Sequence, residues 1–249
     1  MILSRITKAI REQNWFAVAI EFVIVIAGVV IGFQITAWNA ERASRALETE
    51  LLGRLLAETE EALVYLDNGI DRAQGFFDRL EYATAIVHSG SLDGADRDRV
   101  IQGLGGTGYY PTITPPRAVQ DELINSGRSA ELRSDDVRSA LASYNSELAF
   151  ITGQLDYFRS DPFFIWRDYP ELWRTVYDQD ENDRNRSDPD LQAIIEHPVI
   201  PSRVTQSLRD QYVFIIYRGR ARSAAFALCE ALARELDTTC GAEGRIVDP

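Results

Sequence analysis

Apolar and polar positions along the chain fall into three patterns. The first is an unbroken apolar run from Trp15 to Trp38, WFAVAIEFVIVIAGVVIGFQITAW. As a helix rising 1.5 Å per residue, its two Trp stand about 35 Å apart, which places one indole near each face of a bilayer. The second pattern follows without a helix breaker. Leu52, Leu56, Thr59, Leu63, Leu66, Ile70, Ala73, Phe77, Leu80, Thr84 and Val87 step alternately by four and three, which is a heptad seam. Leu51 and Leu55 widen the seam, so the helix suits a bundle better than a lone two-stranded coil. Gly53, Gly69 and Gly75 each weaken it by up to about 1 kcal/mol relative to Ala, so tertiary packing must support it. His88-Ser89-Gly90 ends it, with Gly90 as the C-cap.

The third pattern is a series of shorter segments. Asp93 to Leu104 predicts a short charged helix, and the following GLGGTGYYPTITPP predicts a flexible turn. Thr114 as N-cap with Pro115 at the first helical position predicts a helix to Ser126, closed by Gly127. Ser134 caps a helix over 135–159, whose Val137, Leu141, Tyr144, Leu148, Ile151, Leu155 and Phe158 again alternate four and three. This is the expected antiparallel partner of the Leu52–Val87 seam. Ser202 caps a long last helix to about Leu236, with Leu208, Tyr212, Ile215, Gly219, Phe226 and Ala233 on its buried face. The predicted fold is all-α. It has a basic amphipathic lead-in (1–14), one N-terminal transmembrane helix (15–38) that continues into the heptad helix, and an antiparallel helical-bundle domain (39–249).

Charge around the apolar run bears on topology. Arg5, Lys8 and Arg11 precede it, and Arg42, Arg45 and Arg54 follow, so the cationic count is nearly balanced. The α-amino group and the short lead-in favour the N-terminus inside. A cleaved signal peptide is the rival reading, but no A-x-A site follows the apolar core. Glu21 and Gln34 are polar groups within the run, and Gly28 and Gly32 form a small-xxx-small pair. Buried polar groups in hydrocarbon tend to face other protein, and small residues let helix backbones approach. These four residues are read as a self-association face, against the simpler reading in which Glu21 snorkels to the interface.

The register Glu21, Gly28, Gln34, Trp38-Asn39, with Glu41-Arg42 at the exit, resembles the start of a family of bacterial single-span membrane proteins of unknown function. Its pattern is of the GEIxLVxxGIxxALQxxxWNE type. Ile20 stands where that pattern has Gly, and Ala40 where it has Glu. Leu123, Ser126-Gly127, Leu132, Leu141 and Tyr144 resemble the family's later L-x-x-S-G and L-x-x-Y region. The resemblance implies a membrane protein and carries no activity.

Composition changes the picture in a few places. A net charge of −12 over 249 residues disfavours nucleic acid as a partner, because a phosphate-binding surface needs clustered cations. Cys229 and Cys240 are the only cysteines; they suit either a disulfide in an oxidising compartment or one core thiol and one idle one. Phe163, Phe164, Trp166, Tyr169, Trp173 and Tyr177 form an aromatic cluster, read as bundle-end core or as a ligand or partner groove. The glycines at 103–108 lack a preceding strand and a Gly-Lys-Ser/Thr. The Asp178-x-Asp180-x-Asn182 run has Asp183 at the turn position and Pro189 at the twelfth, so it is a solvated loop and not a calcium loop. His88 and His197 have no nucleophile or metal motif around them. The sequence therefore predicts a non-enzymatic scaffold or accessory subunit without cofactor or metal. It touches the bilayer through 15–38 and self-associates or joins a membrane-protein partner. A ligand-sensing bundle with an aromatic pocket at 163–177 is the alternative.

Overall fold

The computed structural model describes residues 15–177, 179–180 and 185–242. The basic lead-in and most of the acidic loop at 178–184 lie outside the described residues. The chain is all-α apart from one small hairpin, and divides into two compact units, Met1–Leu51 and Leu52–Pro249. The first helix, α1 (Trp15–Ser89), runs without a break through the apolar run and the seam.

In the first unit, the large apolar side chains from Phe16 to Trp38 are exposed. Thr36 Oγ1 donates to the Gly32 carbonyl at 3.0 Å, and Arg42 lies over the Trp38 ring. Residues 39–47 stay helical and exposed, so the bundle unit begins at Leu52 and not directly after the apolar run.

In the second unit the seam packs as its period requires. Ten of the eleven seam residues are buried and Phe77 is half-buried. Each Leu or Ile so removed from water contributes about 1.5–3 kcal/mol before entropy is counted. After α1 come α2 (Arg97–Gly105), α3 (Ala118–Asn125), a 3₁₀ turn (Arg128–Glu131), α4 (Asp135–Ser160), α5 (Ile165–Asp168), β1 (Trp173–Tyr177), β2 (Asn185–Pro189), α6 (Leu191–Glu196) and α7 (Ile200–Glu235). Ser134 caps α4 by accepting from Val137 N, and the seven predicted apolar positions are its seven buried residues.

The direction of the bundle differs from expectation. α7 runs antiparallel to α1, since Asp67 meets Arg222, Phe77 meets Tyr212 and His88 meets Thr205. It also runs antiparallel to α4, since Glu147 meets Arg220, Phe150 meets Tyr217 and Phe158 meets Phe214. α1 and α4 therefore point the same way. What permits this is an extended strap, residues 106–117, which carries the chain back along α1. Tyr109 stacks near Phe76, Thr112 and Thr114 reach Tyr65, and Glu122 just beyond pairs with Arg54.

Two predicted helix starts move. α3 begins at Ala118, not after Thr114, because Pro116 pushes the residue before it out of helical conformation. Its cap comes from α1: the Glu58 carboxylate accepts from Val119 N at 2.6 Å and from Gln120 N at 3.0 Å. α7 begins at Ile200 with Pro201 in its first turn, and His197 Nδ1 accepts from Val199 N and Ile200 N, so Ser202 is not its cap. The glycine-rich turn has a packing role. A Cβ on Gly103 would collide with the Arg79 carbonyl, so α2 lies directly on the α1 backbone.

Candidate functional site

Among the described residues, α1 is the one helix long and apolar enough to cross a membrane. Gly28 and Gly32 have open space where a Cβ would stand, and Glu21 is exposed. Gln34 does not share their side. At 3.6 residues per turn it lies about 140° round the helix from Glu21, because thirteen residues make well over three and a half turns. Glu21, Gly28 and Gly32 thus share one side of the helix, and Gln34 does not.

The aromatic segment divides between core and surface. Phe163 and Trp173 are buried with Leu104, Ile165, Ile194 and Ile200 at one end of the bundle. Tyr169 bridges Phe163 and His197 edge-on, with centroids 6.2 and 4.9 Å away. Trp166 and Tyr177 are exposed, and Arg167 covers Phe164, itself paired with Trp166. Trp173 and Tyr177 end on the hairpin, where Trp173 pairs with Pro189 and Tyr177 with Asn185. Arg174 holds the Asp188 carboxylate across that ladder, keeping its pKa below the ordinary value.

Cys229 and Cys240 are bonded, with Cα atoms 5.6 Å apart. Glu60 lies within ligand distance of both sulfurs. The thiols are consumed in the disulfide, so the trio does not supply three metal donors. Glu60 instead accepts from Gly241 N at 2.6 Å, tying the end of the chain to α1.

An open trough of about 960 Å³ lies over α4, floored by Leu141, Ala142, Asn145 and Ala149. A smaller and largely enclosed cavity of about 80 Å³ lies where α1, the strap and α7 meet. Its surroundings are polar and ordered. Every strap carbonyl from 109 to 112 is held by a side chain. Gln211 Nε2 donates to Tyr109 O at 2.9 Å, Arg159 Nε to Tyr110 O at 2.9 Å, Arg218 Nη2 to Pro111 O at 3.2 Å, and Tyr65 Oη to Thr112 O at 3.4 Å. An extended, proline-containing segment cannot satisfy itself, and buried carbonyls left unpaired are costly.

Arg218 and Arg222, both 2 % exposed, dominate this region electrostatically. Arg222 grips Asp67 with two hydrogen bonds, 3.0 and 3.3 Å. Arg218 lies 4.6 Å over the Phe214 ring, and its Nε finds no acceptor among the described residues. Burial lowers its pKa to about 10, with Arg72 adding to the effect. Burial pushes Tyr65 up, but hydrogen bonds to Thr114 and the charges of Arg218 and Arg72 pull it below its ordinary value. The sequence reading missed this cluster. The signal was there: Gln211, Arg218 and Arg222 recur at three- and four-residue steps through the row that Ile215 and Gly219 share, a pattern that marks polar groups facing inward.

No protein-family model, curated protein or solved structure matches the chain.

Proposed function

We propose that this is a membrane-anchored, non-enzymatic helical-bundle protein acting as a self-associating scaffold or accessory subunit at a bacterial cell envelope. The observation that carries the reading is the bare apolar surface of α1, from Phe16 to Trp38, with every large apolar side chain uncovered. A contiguous apolar surface of that size is not stable in water and calls for lipid or protein around it. Gly28 and Gly32 leave room for a second helix to approach, and the exposed Glu21 on their side gains from a protein neighbour in hydrocarbon. The disulfide between Cys229 and Cys240 suits an oxidising compartment. It supports an orientation with the N-terminus inside and the bundle outside the cytoplasmic membrane. The motif residues Glu21, Gly28, Trp38 and Asn39 add their likeness to bacterial single-span proteins.

Native mass spectrometry of the full chain in lipid nanodiscs tests the association. Oligomers, or a co-purifying membrane protein, are expected, and they should fall to monomer when Gly28 and Gly32 are both changed to Leu. Monomer alone from the unaltered chain would sink the reading. A periplasm-active reporter fused after Pro249 tests the orientation, and an inactive fusion that is present in full in the membrane would reverse it.

The solid packing of Phe163 and Trp173 favours the scaffold over a ligand-sensing pocket at 163–177.

A further inference from the structure

Arg218 presents an energetic problem that the fold does not solve. A guanidinium removed from water is costly unless it is paired and fully hydrogen-bonded. Here it has one protein acceptor, the Pro111 carbonyl, and a ring face. Its Nε–H is unused among the described residues, and it borders the enclosed cavity of about 80 Å³. The same cavity is lined by Arg72, Tyr65 and Gln211, with Phe76, Ala73 and Phe214 supplying an apolar wall. Among the described residues no carboxylate lines it. Gly69 makes the arrangement possible, since a Cβ there would stand 2.5 Å from Arg218 Nη1. A buried fork of donors beside a space of this size is complementary to an oxyanion.

We propose that this cavity, between α1, the strap and α7, binds a small oxyanion. A monocarboxylate of acetate-to-lactate size fits best, because the lining combines the Arg218 and Arg72 cations with apolar side chains. The carboxylate would accept from Arg218 Nε and from Arg72, while its carbon end lies toward Phe76 and Phe214. The site does not depend on the membrane reading.

The test uses the full chain in detergent micelles. Its unfolding temperature is followed against millimolar sodium acetate, lactate and phosphate, with sodium chloride at equal ionic strength as reference. The expected result is a saturable rise with acetate or lactate, weakened at least tenfold in apparent affinity by Arg218→Met and unchanged by the surface variant Arg174→Met. A saturable rise with phosphate alone, equally lost in Arg218→Met, keeps the oxyanion site and overturns the carboxylate assignment. No saturable rise with any of the three, or the same rise in Arg218→Met, overturns the proposal and leaves a water-filled cavity. Should Arg218→Met fail to fold, Gly69→Ala serves in its place. It removes no polar group but displaces the guanidinium, so it too must lose the rise while keeping its helical circular dichroism.

Discussion

Arg218 and Arg222 sit about one turn apart on α7 and are equally hidden, at 2 % exposure each, yet they are held in opposite ways. Arg222 closes a two-pronged ion pair with Asp67 and so fixes α7 against α1. Arg218 meets a carbonyl, a ring and a cavity. The pair separates two uses of buried charge in one helix. A paired guanidinium is costly to disturb because its partner would be stranded. One without a carboxylate contributes little to stability, and its retention asks for another account.

The contrast can be broken in decreasing order of effect. Asp67→Ala leaves the Arg222 charge buried without its main partner and is expected to cost about 3–5 kcal/mol, read by denaturant unfolding. Combining Asp67→Leu with Arg222→Met should restore most of that loss, because a packed apolar pair is a fair substitute for an ion pair. Reducing the Cys229–Cys240 bond, which tethers the same helix farther along, should cost about 2–3 kcal/mol by freeing the unfolded chain. It should do so equally with and without the Asp67–Arg222 pair, which a reducing-agent series on both proteins would check. Arg218→Met is expected to change stability by less than about 1 kcal/mol, since the lost charge and the lost bond to Pro111 act in opposite directions. A loss as large as that of Asp67→Ala would erase the distinction between the two arginines.

The smallest effect concerns pH. Arg218 is facing Arg72 and Tyr65 of α1 and Tyr109 of the strap, and its pKa is lowered to about 10. Below that pH the guanidinium is charged and attracts an anion; above it the neutral form does not. The acetate-dependent rise in unfolding temperature should therefore be flat from pH 7 to 9 and shrink as pH passes 10. An unchanged rise at pH 11 would mean that another group holds the anion.

How much of this was legible depended on whether period or side-chain type carried the information. On α4 the period alone decided, and all seven positions from Val137 to Phe158 are buried. On α7 the same kind of spacing was a poorer guide. Tyr212 was expected inside with Leu208, Ile215 and Gly219, yet it is exposed, while its neighbour Gln211 is buried. Period names a face but not a direction, and the antiparallel expectation for α1 and α4 failed on a connection long enough to return along α1. The cap at Glu58 was hidden because its carboxylate serves residues sixty positions away. β2 was hidden because Asn, Arg, Ser, Asp and Pro seldom form strands, and only pairing with Trp173–Tyr177 makes them one. At the site, the disulfide stood open as one of two readings. The cavity was out of reach because its walls come from three separated segments.

The strap has a consequence for the order in which the molecule assembles. Two of its carbonyls, those of Tyr109 and Pro111, are held by Gln211 and Arg218 of α7, and Asp67 of α1 finds Arg222 at a sequence separation of 155. Such distant contacts slow folding, because long loops must close before any contact rewards them. The heptad surface of α1 is made early, and until α7 arrives α2 and the strap cover it only in part. A nascent chain stopped before residue 200 would display that apolar seam without α7 to cover it, a sticky intermediate of the kind chaperones hold. α7 therefore acts as the latch of the fold, joined to α1 at Asp67, Phe77 and His88.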